Sequence, residues 1–133
     1  MIGISITTVL DGIYAGCALR RAKGGDVPEL LTRRHDAMLR RTARDVMARI
    51  FISLVPYVTN SNVADLSGDD DIITIEFDPE PACEGVLKVE LESLLTAGIL
   101  AAAGVGDAGF YTALSALRDS LAPAAGTGRI RRA

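Results

Sequence analysis

The sequence predicts a mainly α fold: about four helices in an antiparallel bundle, with one short edge strand or hairpin. Three observations carry that prediction. Four stretches repeat apolar side chains at helical spacing, and each has a capping residue, a glycine or a proline at an end. One stretch, Ile72–Phe77, alternates instead. Trp is absent and aromatics supply only 5% of the residues, so the core must be aliphatic side chains packed helix on helix.

In order, Ser5 or Thr7 starts a first helix whose apolar stripe is Ile6, Val9, Leu10, Ile13 and Cys17. Arg20, Arg21 and Lys23 complement the dipole at its end, and Gly24-Gly25 stops it. The spine of the fold is expected to be one long helix from Asp26 to Val55, roughly 45 Å in length. Asp26 would cap it, with Glu29 three residues on and Pro28 in the first turn. Leu31, Met38, Val46, Met47, Ile50 and Leu54 form its apolar stripe. Arg33, Arg34, Arg40, Arg41, Arg44 and Arg49 take the other side, and Pro56 ends it.

Thr59 to Asp71 reads as a polar loop, with Asp69, Asp70 and Asp71 as a solvated charge run. A calcium loop would need alternating oxygens, a central Gly and a closing Glu, and that pattern is missing. In the strand, Ile73, Ile75 and Phe77 share one face. Its backbone needs a partner, which could be a hairpin with Tyr57–Val63, another subunit, or nothing if the stretch is an arm. A partner from outside the helical core is the favoured expectation. A third helix spans about Glu84 to Ala103 on Leu87, Leu91, Leu94, Leu95 and Ile99, and Gly104 closes it. Its small second half (Ala97, Gly98, Ala101, Ala102) would let another helix come close. Asp107 caps a fourth helix carrying Phe110, Tyr111, Leu114, Leu117 and Leu121, which Pro123 ends. The organisation is thus one helical domain over 1–123 and a basic flexible tail over 124–133.

Charge is segregated. Residues 1–62 hold nine Lys/Arg against five Asp/Glu, residues 63–128 hold two against twelve, and the tail adds Arg129, Arg131 and Arg132. That arrangement favours complementary contacts between copies, the basic face of one meeting the acidic face of the next. No transmembrane run or signal peptide is read, so a soluble protein made in the cytoplasm is expected, with no membrane partner. Cys17 and Cys83 have no ligand or redox spacing and read as small core hydrophobes of a reducing compartment, with a single disulfide as the lesser alternative.

No motif carries catalysis. Gly104-x-Gly106-x-x-Gly109 spells a dinucleotide fingerprint but lacks the preceding strand, and Asp107 would repel phosphate. His35 and Asp36 are adjacent on a helix and diverge, so they form no dyad. No catalytic residue, metal ligand or cofactor is assigned. The candidate interaction surface comprises Arg33, Arg34, Arg40, Arg41, Arg44, Asp69, Asp70, Asp71, Ile73, Ile75, Phe77, Arg129, Arg131 and Arg132. A non-enzymatic structural or adaptor subunit is the leading expectation. A nucleic-acid-binding protein using the arginine face is the alternative, opposed by the acidic second half and the lack of stacking aromatics.

The run Ile4 to Leu10, the helix opening Leu30-Leu-Thr-Arg-Arg-His-Asp-Ala-Met-Leu39, the single β-rich stretch, the aliphatic third helix and the basic tail occur in a telling order. That order resembles small virion proteins of Bacteroidetes phages and prophages, encoded among head–tail and tail genes, although this sequence lacks their Trp and bulky aromatics. The resemblance spans most of the chain and implies a head–tail connector or tail-completion component. Its partners would be copies of itself or other particle subunits.

Overall fold

The computed structural model describes residues 1–28, 31–66, 70–78, 83–104 and 109–132, the last eleven by backbone alone. The fold is mainly helical with a small antiparallel sheet. The described elements run β1 (Ile2–Ser5), α1 (Ile6–Ala22), α2 (Asp36–Leu54), β2 (Val58–Ser61), β3 (Ile72–Phe77), α3 (Glu84–Ala102) and α4 (Gly109–Arg132).

The strand β3 has the bounds its alternation predicts, but it is the centre of the sheet and not an edge. The order is β1-β3-β2, both neighbours antiparallel. Ile2 pairs with Ile75 and Ser5 with Ile72 on one side; Val58 pairs with Phe77 and Ser61 with Ile75 on the other. The hairpin with 57–63 therefore forms, and the expected partner from outside the core is replaced by the chain's own β1. A register shift between Val58 and Asn60 marks a bulge. Beyond it, Asn62 prolongs the ladder by its side chain: Oδ1 accepts from Thr74 N at 2.8 Å, and Nδ2 donates to Ile72 O at 2.9 Å. Ile2, Ile4, Ile73, Ile75 and Phe77 are all buried, and together with the helices they form one continuous core. Ile73, Ile75 and Phe77 thus face inward and offer no interaction surface.

The predicted rod from Asp26 to Val55 is broken. Thr32 is extended (φ −124°, ψ 160°), Arg33–His35 make a 3-10 turn, and α2 begins at Asp36. Its 19 residues reach about 28 Å. Local start signals at Asp26 and Pro28 lose to distant ones. Leu31 packs into the core from the connecting segment, and Asp36 is gripped by Tyr14 and Arg40. Glu29, the other half of the expected capping box, lies outside the described residues. The apolar stripe shifts as well: Leu39, Ala43, Val46, Met47, Ile50 and Leu54 are buried, while Met38 points outward at 54% exposure.

Elsewhere expectation and structure agree more closely. Ser5 caps α1, its Oγ accepting from Thr8 N, and Gly24 follows with φ +81°. On α3, all five predicted leucine and isoleucine positions are buried, and Gly104 closes the helix with φ +80°. Gly98 is where α2, α3 and α4 crowd together. A Cβ built there would lie 2.3 Å from Val46 Cγ1 and 3.0 Å from Phe110 Cε1, so only hydrogen fits. Helix α4 continues past Pro123 to Arg132, where the pattern predicts a stop. Alanines 124 and 125, strong helix formers, follow the proline directly. Asp107, its expected cap, lies outside the described residues.

Candidate functional site

The densest polar constellation gathers where β3, α1 and α2 meet. Asp71, the residue before β3, sits at the N-terminus of α1, where orphan N–H groups and the helix dipole favour an anion. Its backbone oxygen accepts from Ile6 N at 2.8 Å, and Oδ1 accepts from Thr7 N at 2.8 Å. The Thr7 hydroxyl donates to Oδ1 and the Ser5 hydroxyl to Oδ2, at 2.5 and 2.6 Å. Arg40 completes the set, with Nη1 donating to Asp71 Oδ1 at 3.1 Å and Nη2 to Thr7 Oγ1 at 2.8 Å. Burial alone would push the Asp71 carboxyl up. The Ser5 and Thr7 hydroxyls, the Thr7 N–H and the Arg40 guanidinium together outweigh it and bring the carboxyl down to about 2.

Arg40 bridges this cluster to a second carboxylate. Its Nε donates to Asp36 Oδ2 at 2.7 Å, one helical turn away, and Asp36 Oδ1 accepts from the Tyr14 hydroxyl at 2.7 Å. The Tyr14 bond, then Arg40, holds the Asp36 carboxyl below its ordinary range. Burial, then the bond to Asp36, pushes the Tyr14 phenol up. The Arg33 guanidinium carbon lies 4.8 Å above the Tyr14 ring, and its Nη1 is 3.2 Å from Asp11 Oδ1. Donors and acceptors are matched throughout, and among the described residues no buried side-chain polar atom lacks a partner. Such a cluster fixes three elements against one another. The same bonds hold the Asp36 and Asp71 carboxyls below their ordinary range, which makes both weak bases near neutrality.

The structure thus separates the predicted surface residues. Arg40 and Asp71 are committed to contacts within the chain, so Asp71 is no part of a solvated run, while Arg33 reaches Asp11 and stays largely exposed. Arg34 and Asp70 are exposed and Arg44 is half-buried, each with a further contact of its own. Arg41 is exposed, with no hydrogen bond or ion pair to another described side chain. Asp69 lies outside the described residues, and Arg129, Arg131 and Arg132 are described only as helical backbone. Sequence reasoning missed Asp71, Thr7 and Tyr14 as a unit, since Asp71 and Thr7 are 64 positions apart and leave no local trace. The Asp36–Arg40 spacing of four was the one legible signal.

A cleft of about 240 Å³ opens beside α1 and α3, lined mainly by Ile13, Gly16, Cys17, Val27, Leu31 and Leu100. Apart from Arg20 and Thr96 the described walls are apolar, and among the described residues no pair of acid and base groups converges there. Cys17 and Cys83 are free thiols; Cys17 packs half-buried against the core, but Cys83 is exposed and is no core hydrophobe. Among the described residues no cluster of three or more His, Cys, Asp or Glu could hold a metal ion. No described helix is long and apolar enough to cross a membrane. No protein-family model, curated protein or solved structure matches the chain.

Proposed function

We propose that this protein is a non-enzymatic structural or adaptor subunit that acts through protein–protein contacts. One observation carries the reading: the clustered polar groups are consumed inside the fold, whereas the groups left outside are suited to contact. Met38, Ile52, Val86, Val89 and Tyr111 are large, apolar and exposed, on three different helices. Burying such side chains against a partner contributes about 25 cal/mol per Å² removed from water. An antiparallel arrangement of the four helices belongs to the same proposal. A phage head–tail connector or tail component, carried in the virion, is the instance that the sequence resemblance implies.

Light scattering over a concentration series tests the reading, and a mass rising above one subunit is expected. A strictly monomeric chain up to millimolar concentration counts against self-assembly. The nucleic-acid alternative predicts DNA retardation at low ionic strength that falls steeply with salt. Little retardation is expected, because Arg40 is held by Asp36 and Asp71 within the chain and Asp45 stands among the exposed arginines of α2.

A further inference from the structure

Two glycines of α1 have no steric or conformational reason within the chain. A Cβ at Gly98 would collide with its neighbours, and Gly24 and Gly104 hold a positive φ. At Gly12 and Gly16 the backbone is ordinary helix, and a Cβ would meet nothing within 4 Å. Glycine is a poor helix former beside alanine, so the pair weakens α1, and no close contact accounts for it. Four residues apart, the two share a face, and both line the cleft of about 240 Å³ beside α1 and α3. The open space above them is the cleft itself. One charged side chain lines it among the described residues: Arg20, one turn beyond Gly16. The Arg20 stem lies over Gly25, where a Cβ would come within 2.8 Å of Cγ, so a glycine there lets the arginine fold back toward the connecting segment. Its guanidinium makes no hydrogen bond or ion pair with another described side chain.

From this we infer that the cleft binds a short linear carboxylate, its hydrocarbon chain laid over Gly12 and Gly16 and its head on Arg20. The inference is independent of the assembly reading above. Wall chemistry sets the class of occupant. Thr96, the one other polar side chain among the described lining residues, already donates its hydroxyl to Glu92 O at 2.9 Å. The body of the occupant must therefore be apolar, since a further polar group would be desolvated without a donor. Among the described residues no carboxylate lines the cleft, so the charge at its rim favours an anion, and a guanidinium fork matches a carboxylate with two donors. Size sets the length. Gly12 and Arg20 are eight residues apart on α1, about 12 Å along the axis, which accommodates a chain of about eight carbons. The volume falls below the range of about 300–1,000 Å³ usual for drug-sized ligands, which again points to a slender occupant. A helix of a second copy fits less well, because a helix with its side chains is about 10 Å across and the cleft would admit only one or two of them.

Calorimetric titration of the full chain with sodium octanoate tests the site, with octanol as the uncharged probe. One site is expected, with a dissociation constant of about 0.1–1 mM, as suits a ligand of about ten heavy atoms. Arg20→Gln should weaken octanoate about fivefold and leave octanol unchanged. Gly16→Leu should weaken both about tenfold or more by filling the cleft. That variant should fold, because its side chain enters open space, and circular dichroism checks it. Alkylation with iodoacetamide, read from peptide masses, locates the site. Saturating octanoate should slow Cys17, on the cleft wall, about fivefold and leave exposed Cys83 at its own rate. The inference is overturned if octanoate shows no saturable binding up to ~10 mM. It is overturned equally by binding that Arg20→Gln or Gly16→Leu leaves intact, or that shields both thiols alike. If octanoate does not bind while Gly16→Leu lowers the mass seen by light scattering, the cleft is a contact between copies. The carboxylate site then falls and the assembly reading stands.

Discussion

Arg40 and Arg41 are neighbours in sequence and belong to different worlds. Arg40 lies on the flank of α2 that turns toward α1 and β3, and it bonds Asp36, Asp71 and Thr7. Arg41 lies a third of a turn away on the outer stripe, with no such partner among the described residues. The same contrast divides Leu39, 1% exposed, from Met38, 54% exposed. Residue type decides little in either pair. What decides is the angular position on the helix and what the rest of the chain brings to that angle.

The largest effect should separate Leu39 from Met38. Leu39→Ala removes a fully buried side chain and is expected to lower unfolding free energy by about 2–5 kcal/mol. Met38→Ala should stay within about 0.5 kcal/mol, as exposed positions do. Urea unfolding followed by circular dichroism measures both, and equal losses would erase the distinction between the two faces. Next come the arginines. Arg40→Ala leaves two part-buried carboxylates short of a charged donor and should cost about 1–3 kcal/mol, against no more than about 0.5 for Arg41→Ala.

Acid sharpens the same comparison. The Asp71 carboxyl is depressed from near 4 in the unfolded chain to about 2 in the folded one. A depressed carboxylate contributes stability that is fully present above the unfolded value and is lost as pH falls through the folded one. Stability should therefore decline between about pH 4 and pH 2, and Asp71→Asn should flatten that decline while lowering stability at pH 7. A smaller loss than that of Arg40→Ala is expected from Tyr14→Phe, about 1 kcal/mol, since it deletes one hydrogen bond and keeps the ring beneath Arg33. A double cycle with Asp36→Ala would show whether that loss vanishes once the acceptor is gone.

The features legible in the sequence are those set within one turn or one alternation. The Ser5 cap, the Gly24 and Gly104 stops, the five-residue stripe of α3 and the bounds of β3 all follow from neighbours no more than a few positions apart. Three features with distant causes were not legible. Ile2–Ser5 holds only two inward residues, and its Ile4 runs straight into the helical stripe beginning at Ile6, so strand and helix signals merge. The start of α2 was misplaced because Asp26, Pro28 and Glu29 look like a helix opening, while the bonds that set the actual start reach Asp36 from Tyr14, 22 residues earlier. The polar cluster was hidden for the same reason. Met38 and Leu39 show the limit plainly, since either could belong to an apolar stripe until the core is known.

The pairing of Ile2 with Ile75 spans more than half of the 133 residues. During synthesis, β1 leaves the ribosome before β3 and waits, unpaired, until some seventy further residues have emerged. Local contacts can form α1 and α2 quickly, but the sheet must close a long loop and so should complete folding last. A nascent chain stalled before Ile72 would expose the isoleucines at positions 2 and 4 to any neighbouring strand, which makes that interval the period of greatest danger of aggregation.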